Sequence, residues 1–223
     1  MLLLIPLTGL SARDRQTPSI TVAGSGIVEV SPDTAFLRVG ISETAETTRE
    51  AMAQTEEGIR SILEAASALG ISEDRIRTGR LNIFPEYRWK EGESILIGQK
   101  ASQTLEIELN QLKTRPELLS GLLEKLGGIN GIEISDLRFD TSDKEPWFEK
   151  ARERAFQNAL QKAQQLADLS GRTLRAPLSI TENSRSGLPP APMMMRAADS
   201  NGMPVPPSDV TITVDLTIVF EMK

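Results

Sequence analysis

The sequence contains no cysteine and no histidine among its 223 residues. Without cysteine the chain cannot form a disulfide framework, a thiol nucleophile, a zinc ribbon or a cysteine-ligated iron–sulfur cluster. Without histidine it cannot build a Ser-His-Asp triad, an HExxH zinc site or a facial-triad iron site. Acid–base chemistry would depend on Asp, Glu, Lys or the single tyrosine, Tyr87. These absences favour a protein that is not an enzyme and that has no cofactor.

Positive charge is also scarce, since 25 Lys and Arg residues face 31 Asp and Glu residues and the formal net charge is −6. A nucleic-acid surface needs clustered Lys and Arg, so the composition argues against a nucleic-acid partner. Hydrophobic residues make up 39% of the chain and charged residues 25%, as in soluble globular proteins. At this length the chain can bury a core as one domain or as two closely joined lobes.

Long apolar runs are absent except at the N-terminus, where residues 1–10 read MLLLIPLTGL. This run is shorter than the roughly twenty residues that span a bilayer, but it suits the hydrophobic region of a signal peptide. Ser11 and Ala12 supply small residues for cleavage, although no Lys or Arg precedes the run. We predict a signal peptide and linker over residues 1–18, a periplasmic or secreted protein, and no membrane-spanning segment. An unstructured N-terminus or a misplaced start codon is the alternative.

Alternating apolar and polar residues dominate the remaining sequence, and this period of two is typical of half-buried strands. Two predicted helices open on capping-box patterns, Thr47–Glu50 and Thr114–Glu117, and a third ends before Gly171. The predicted order is ββαββαβαββ, with strands over residues 20–30, 35–41, 80–90, 95–109, 132–139, 174–180 and 210–220, and helices over 47–70, 114–127 and 143–170. Because hairpins leave little room for parallel crossovers, we predict an α+β fold of long antiparallel strands with helices packed on one face.

The third and fourth predicted strands form one long hairpin that bends at Gly98. The apolar faces of the two strands carry Leu81, Ile83, Pro85, Tyr87 and Trp89 on the first, and Ile95, Ile97, Ala101, Leu105, Ile107 and Leu109 on the second. Aromatic residues at an exposed tip are enriched in interfaces. Tyr87 and Trp89 are therefore candidate interface residues of a homo-oligomer, and burial in the core is the alternative.

Small residues recur at positions where elements pack closely. Alanine occupies every fourth position of the last predicted helix, at Ala151, Ala155, Ala159, Ala163 and Ala167. Gly24-Ser25-Gly26 superficially resembles a dinucleotide-binding loop, but a strand follows it where that motif requires a helix. We interpret the two glycines as easing either a bulge or close packing of the sheet. A change of alternation at Ser135-Asp136 predicts a β-bulge.

Three stretches, in order, resemble the SIMPL-domain family. They are ITVAGSGIVEVSPD over residues 20–33, the helix and strand over 151–182, and PMMMR over 192–196 ahead of the closing strand. The resemblance covers residues 19–222, and we predict a SIMPL-like domain over residues 19–223. Lys113–Pro116 looks like an insertion. The resemblance implies a bacterial envelope protein, large ring-like oligomers in some members, and a link to oxidative stress through YggE-like relatives. It carries over no catalytic residue.

The Pro/Met-rich loop over residues 184–208 contains Met193, Met194, Met195 and Met203. Thioethers are soft ligands that suit Cu(I), and exposed methionines are oxidised reversibly. They also serve as adaptable apolar contacts, which is the interpretation we favour. We predict a non-catalytic, oligomeric structural or binding module of the envelope linked to oxidative-stress tolerance. A soft-metal or redox-buffering protein that uses this loop is the alternative.

Overall fold

The structure, a computed structural model, describes residues 17–90, 92–183 and 209–223. The α-helices and strands within these residues are β1 (Ser19–Val30), β2 (Thr34–Ala45), α1 (Thr48–Ser67), β3 (Ile76–Lys90), β4 (Glu93–Leu109), α2 (Glu117–Leu126), β5 (Ile132–Asp140), α3 (Glu145–Leu169), β6 (Leu174–Asn183) and β7 (Val210–Met222), and a short 3₁₀ helix, Glu73–Arg75, precedes β3. Their order is the predicted ββαββαβαββ, and the pairs β2–β4, β2–β5, β3–β4 and β6–β7 are antiparallel. The predicted α+β fold is confirmed. Except for residues 17 and 18, the predicted leader lies outside the described residues.

Two compact units make up the described chain. The terminal unit comprises residues 17–28, 146–183 and 212–223, and contains a three-stranded sheet of order β1-β7-β6 with α3. The central unit comprises residues 29–90, 92–145 and 209–211, and contains a four-stranded sheet of order β3-β4-β2-β5 with α1 and α2. The element order alone does not predict this division into two sheets.

Helix α3 packs directly on the backbone of β1 in the terminal unit. Its five predicted alanines, Ala151, Ala155, Ala159, Ala163 and Ala167, are fully buried. A Cβ atom on Gly24 would lie well inside van der Waals contact of the Ala155 carbonyl oxygen, and one on Gly26 would meet that of Ala151 in the same way. Only glycine therefore allows this approach, and the close-packing interpretation of the Gly24 and Gly26 pair is confirmed.

The core of the central unit lies between its sheet and the two helices. Its fully buried members include Leu37, Val39 and Ile41 of β2, Leu105, Ile107 and Leu109 of β4, Ile62 and Ala66 of α1, and Leu122 and Leu126 of α2. Helix α1 begins at the predicted capping box, in which Thr47 and Glu50 each accept a hydrogen bond from the other's backbone N–H. Helix α2 begins differently, because Pro116 is its N-cap and no side chain caps it, so the second capping-box prediction is wrong.

The predicted bulge at Ser135-Asp136 is confirmed. The register of β2 with β5 shifts between Arg38, which lies opposite Asp136, and Val39, which lies opposite Ile134. Ser135 is the extra residue, and its hydroxyl faces the carbonyl oxygen of Arg38. The bulge keeps apolar residues of β5 facing the core on both sides of the shift.

Asp33 fixes the turn that leads into β2. Its carboxylate accepts hydrogen bonds from the Ser142 backbone N–H at 2.8 Å, the Ser142 hydroxyl at 3.0 Å and the Thr34 hydroxyl at 2.9 Å. Burial alone would raise the pKa of Asp33, but these hydrogen bonds and the charge of Lys113 hold it below its ordinary value. A depressed folded-state pKa means that the carboxylate stabilises the fold above the unfolded-state pKa of about 3.9. This contribution is lost as the pH falls through the folded-state value.

We expect Asp33→Ala to lower the free energy of unfolding by about 1–3 kcal/mol near neutral pH, because Ser142 and Thr34 lose their acceptor. The difference from the wild type should shrink below about pH 4. Urea unfolding at neutral and at acidic pH measures both effects. The exposed Asp143, replaced by alanine, is the control and should change the free energy by no more than about 0.5 kcal/mol. An Asp33 effect of the same size at both pH values would contradict this assignment.

A projecting β-arm as the candidate interaction site

The hairpin of β3 and β4 extends past the end of its neighbouring strand. Strand β2 ends at Ala45, which lies opposite Gln99 of β4. Beyond this point β3 and β4 pair only with each other within the described residues. Residues 86–98, of which Glu91 is not described, therefore form a two-stranded ribbon, which we call the arm.

One face of the arm is apolar and open to solvent. Trp89 is 74% exposed, Tyr87 54% and Leu96 53%. Tyr87 lies directly opposite Leu96, and Trp89 is two residues along the same strand, so the three side chains share one face. The exposed Leu81 and Ile83 continue this face toward the sheet. We call these five residues the apolar stripe.

The predicted interface residues Tyr87 and Trp89 thus lie together on the arm, and the alternative that they belong to the core is wrong. Leu96 was missed by the sequence analysis. The register of β3 with β4 shifts between Glu86 and Tyr87, which leaves Ile97 without a partner. This bulge, at the predicted bend beside Gly98, reverses the alternation of β4. As a result Leu96, instead of the predicted Ile95 and Ile97, lies on the same face of β4 as Ala101.

The opposite face of the arm is mixed in polarity. Arg88 lies opposite Ile95, and Lys90 lies opposite Glu93 next to the turn. The opposite face therefore also exposes an apolar side chain, Ile95, but it lacks the aromatic residues of the apolar stripe, and the tip of the ribbon is charged. An apolar partner has access to the arm from the side that carries the apolar stripe.

Two contacts attach the base of the arm to the end of β2. The Thr44 hydroxyl donates a hydrogen bond to the Glu86 carboxylate. On the other strand, a Cβ atom on Gly98 would crowd the carbonyl oxygen of Ala45, so the backbones approach closely there. Both contacts lie within the central unit and fix the direction in which the arm leaves the sheet.

The described residues lack two other kinds of site. They hold no group of three or more Asp and Glu side chains placed to share a metal ion. No helix in the described ranges combines the length and hydropathy needed to cross a membrane. The soft-ligand candidates Met193, Met194, Met195 and Met203 lie outside the described residues.

Residues 20–220 match the family model of SIMPL, whose description is "Protein of unknown function (DUF541)". The chain is 31% identical over 222 residues to the "26 kDa periplasmic immunogenic protein" of Brucella melitensis, with 93% of this chain and 86% of the relative covered. It is 30% identical over 199 residues to the "Uncharacterized protein YggE" of Escherichia coli K12, with 87% of this chain and 79% of the relative covered. The chain therefore belongs to the SIMPL (DUF541) family.

Proposed function

We propose that the protein is a non-catalytic structural module that assembles with further copies of itself through the arm. The observation that carries this proposal is the apolar stripe, in which Trp89, Tyr87 and Leu96 are more than half exposed on one side of a ribbon. Contiguous exposed apolar surface in a soluble protein marks an interaction site. The lack of histidine and cysteine supports a role in association over one in catalysis.

The arm gains little stability from its own contacts. A two-stranded ribbon is marginally stable in water by itself, and additional packing against one face is what stabilises such strands. Within the described residues no third strand pairs with the arm, and Trp89, Tyr87 and Leu96 are each more than half exposed. A partner that covers the stripe would bury Trp89 and Tyr87, and aromatic side chains each bury about 150–250 Å².

A second copy of the chain fits this surface better than a lipid bilayer does. The tip carries Lys90 and Glu93, and moving such charges into hydrocarbon is costly. The stripe lies along the side of the ribbon, so its partner must also lie alongside. A second copy offers the same elongated apolar stripe, and symmetric pairing would bury both Trp89 side chains at once.

We place this assembly in the periplasm. One relative is named periplasmic, and the N-terminal apolar run of this chain suits export. We further propose that the assembly contributes to oxidative-stress tolerance, which the resemblance to YggE-like proteins implies. In this proposal the contribution is structural and depends on the assembled protein.

Native mass measured by light scattering over a range of concentrations tests the proposal. A single copy has a mass of 24.4 kDa. We expect a mass several times larger that falls on dilution toward the value of one copy. A mass of one copy at every concentration would contradict self-assembly and would favour a small binding module.

A further inference from the structure

Three backbone segments meet at one end of the sheet in the terminal unit. Just ahead of β1, the Pro18 carbonyl oxygen accepts a hydrogen bond from the Met222 N–H at 2.8 Å. Thr173, in the turn between α3 and β6, exchanges two backbone hydrogen bonds with Lys223, at 2.8 Å and 2.9 Å. These bonds hold the start of β1, the start of β6 and the end of β7 side by side. The side chains around them border an open cavity of about 560 Å³.

Positive charge predominates in this cavity. The residues that line it are Pro18, Arg172, Arg175, Glu221, Met222 and Lys223. The three cationic side chains are exposed, and within the described residues none of them has a hydrogen bond or an ion pair. Two carboxylates, that of Glu221 and the α-carboxylate of Lys223, offset part of this charge. The cavity therefore offers three cationic groups for an anionic ligand.

The terminal unit also differs in charge from the rest of the chain. Its described residues carry seven Lys and Arg against six Asp and Glu, a net charge of +1. The whole chain has a formal net charge of −6, so the remaining residues carry −7. An anionic surface repels these remaining residues, and it is repelled least by the unit that contains the cavity.

We propose that Arg172, Arg175 and Lys223 bind the phosphate groups of anionic lipids at a membrane surface. Guanidinium groups donate paired hydrogen bonds to phosphate oxygens, and an ammonium group adds a compact positive charge. Clustered basic side chains are attracted to the negative potential of an anionic lipid surface. The site lies outside the arm, so the inference goes beyond the function proposed above. It depends on the periplasmic location and not on self-assembly.

A membrane fits the cavity better than a free phosphate ion does. Because the three cationic side chains are exposed, any ion pair that they form stays in contact with water and is weak. A single small anion therefore gains little from them. A lipid surface presents many phosphate groups together, so it engages all three cations at once. Several copies in one assembly would add further contacts.

The position of Pro18 in the chain also favours a membrane. Residues 1–10 form the apolar run that suits export, and the run of a signal peptide enters the membrane during export. Pro18 follows the last residue of this run by eight positions, and eight residues span at most about 26–29 Å. The cavity that Pro18 lines is therefore within reach of the membrane surface while the run is attached.

Co-sedimentation of the full-length protein with lipid vesicles tests the inference. The vesicles consist of phosphatidylcholine alone, or of equal parts phosphatidylcholine and phosphatidylglycerol. We expect stronger binding to the anionic vesicles, and we expect added salt to weaken it. Arg175→Gln combined with Lys223→Gln should weaken binding to anionic vesicles roughly 30-fold, because each basic side chain at such a surface contributes about fivefold.

Arg49→Gln combined with Lys125→Gln is the matched control. It removes one Arg and one Lys that are also exposed but lie in the central unit, and it changes the net charge equally. Both double variants keep the apolar run, so binding through that run is the same in each. Glu221→Gln should strengthen binding to anionic vesicles, because it removes a carboxylate from the cavity.

Three results would overturn the proposal. The first is equal binding to neutral and anionic vesicles, and the second is an equal loss of binding in the two double variants. Calorimetric titration with inorganic phosphate supplies the third. Phosphate binding that the Arg175 and Lys223 double variant loses, in a protein that does not bind anionic vesicles, would make a soluble phosphate the ligand.

Discussion

Gly26→Ala is expected to destabilise the terminal unit strongly. The added Cβ would lie against the Ala151 carbonyl oxygen, and 2.5 Å from the Ala155 backbone nitrogen. Backbone atoms of a long helix cannot move aside singly, so α3 would have to shift from β1. Overpacking of this kind costs about 1–3 kcal/mol and sometimes more. Urea unfolding followed by circular dichroism should show a lower midpoint.

Two further variants make this prediction specific. Gly128→Ala adds the same methyl group where it would meet only the Lys125 carbonyl oxygen, at an ordinary 3.5 Å, and should change stability little. Because the crowding atoms at Gly26 belong to the backbone, adding Ala155→Gly should not restore stability to Gly26→Ala. An unchanged midpoint for Gly26→Ala, or full rescue by Ala155→Gly, would contradict the close-packing account.

Replacing Tyr87 and Trp89 together by serine should weaken self-association more than any other surface change. Central aromatic residues of an interface commonly contribute about 2 kcal/mol or more each, which corresponds to roughly a 30-fold rise in Kd per residue. Since the two side chains are 54% and 74% exposed, the variant should unfold at nearly the wild-type midpoint. Sedimentation velocity over a concentration series measures the shift.

Leu169→Ser is the matched control for the arm variant. Leu169 is 77% exposed, as much as Trp89, but it lies at the end of α3 in the terminal unit. This variant should sediment as the wild type does. If the Tyr87 and Trp89 double variant also sediments as the wild type does, the arm is not the association surface.

Much of the fold follows from local patterns. The strands alternate with a period of two, and this predicts their order and the bulge at Ser135. The alanines of α3 were also predicted to pack closely, and close packing was one of the two interpretations of the glycines at positions 24 and 26. Each of these residues lacks the side-chain volume that would separate two backbones. These features could be predicted because strand alternation is a pattern of neighbouring residues, and because small residues at regular positions are typical of close backbone packing.

Other features depend on distant pairing and could not be predicted. The bulge at Ile97 follows from the register of β4 with β3, and a register error of one residue moves side chains to the opposite face. For this reason the alternation of β4 predicted Ile95 and Ile97 on its apolar face, whereas in the structure Leu96 lies on that face. The exposure of the arm could not be predicted from the sequence either, because it results from β2 ending at Ala45, opposite Gln99. The capping box predicted at Thr114–Glu117 does not form, because Pro116 occupies the N-cap position of α2.

The emission of Trp89 measured during association tests the central claim most directly. The chain has two tryptophans, and Trp147→Phe would leave Trp89 as the only one. Burial of an indole in an apolar interface shifts its emission to shorter wavelength. We predict that this shift follows the rise in native mass as the concentration increases. A mass that rises while Trp89 keeps the emission of an exposed side chain would contradict the assignment of the arm as the association surface.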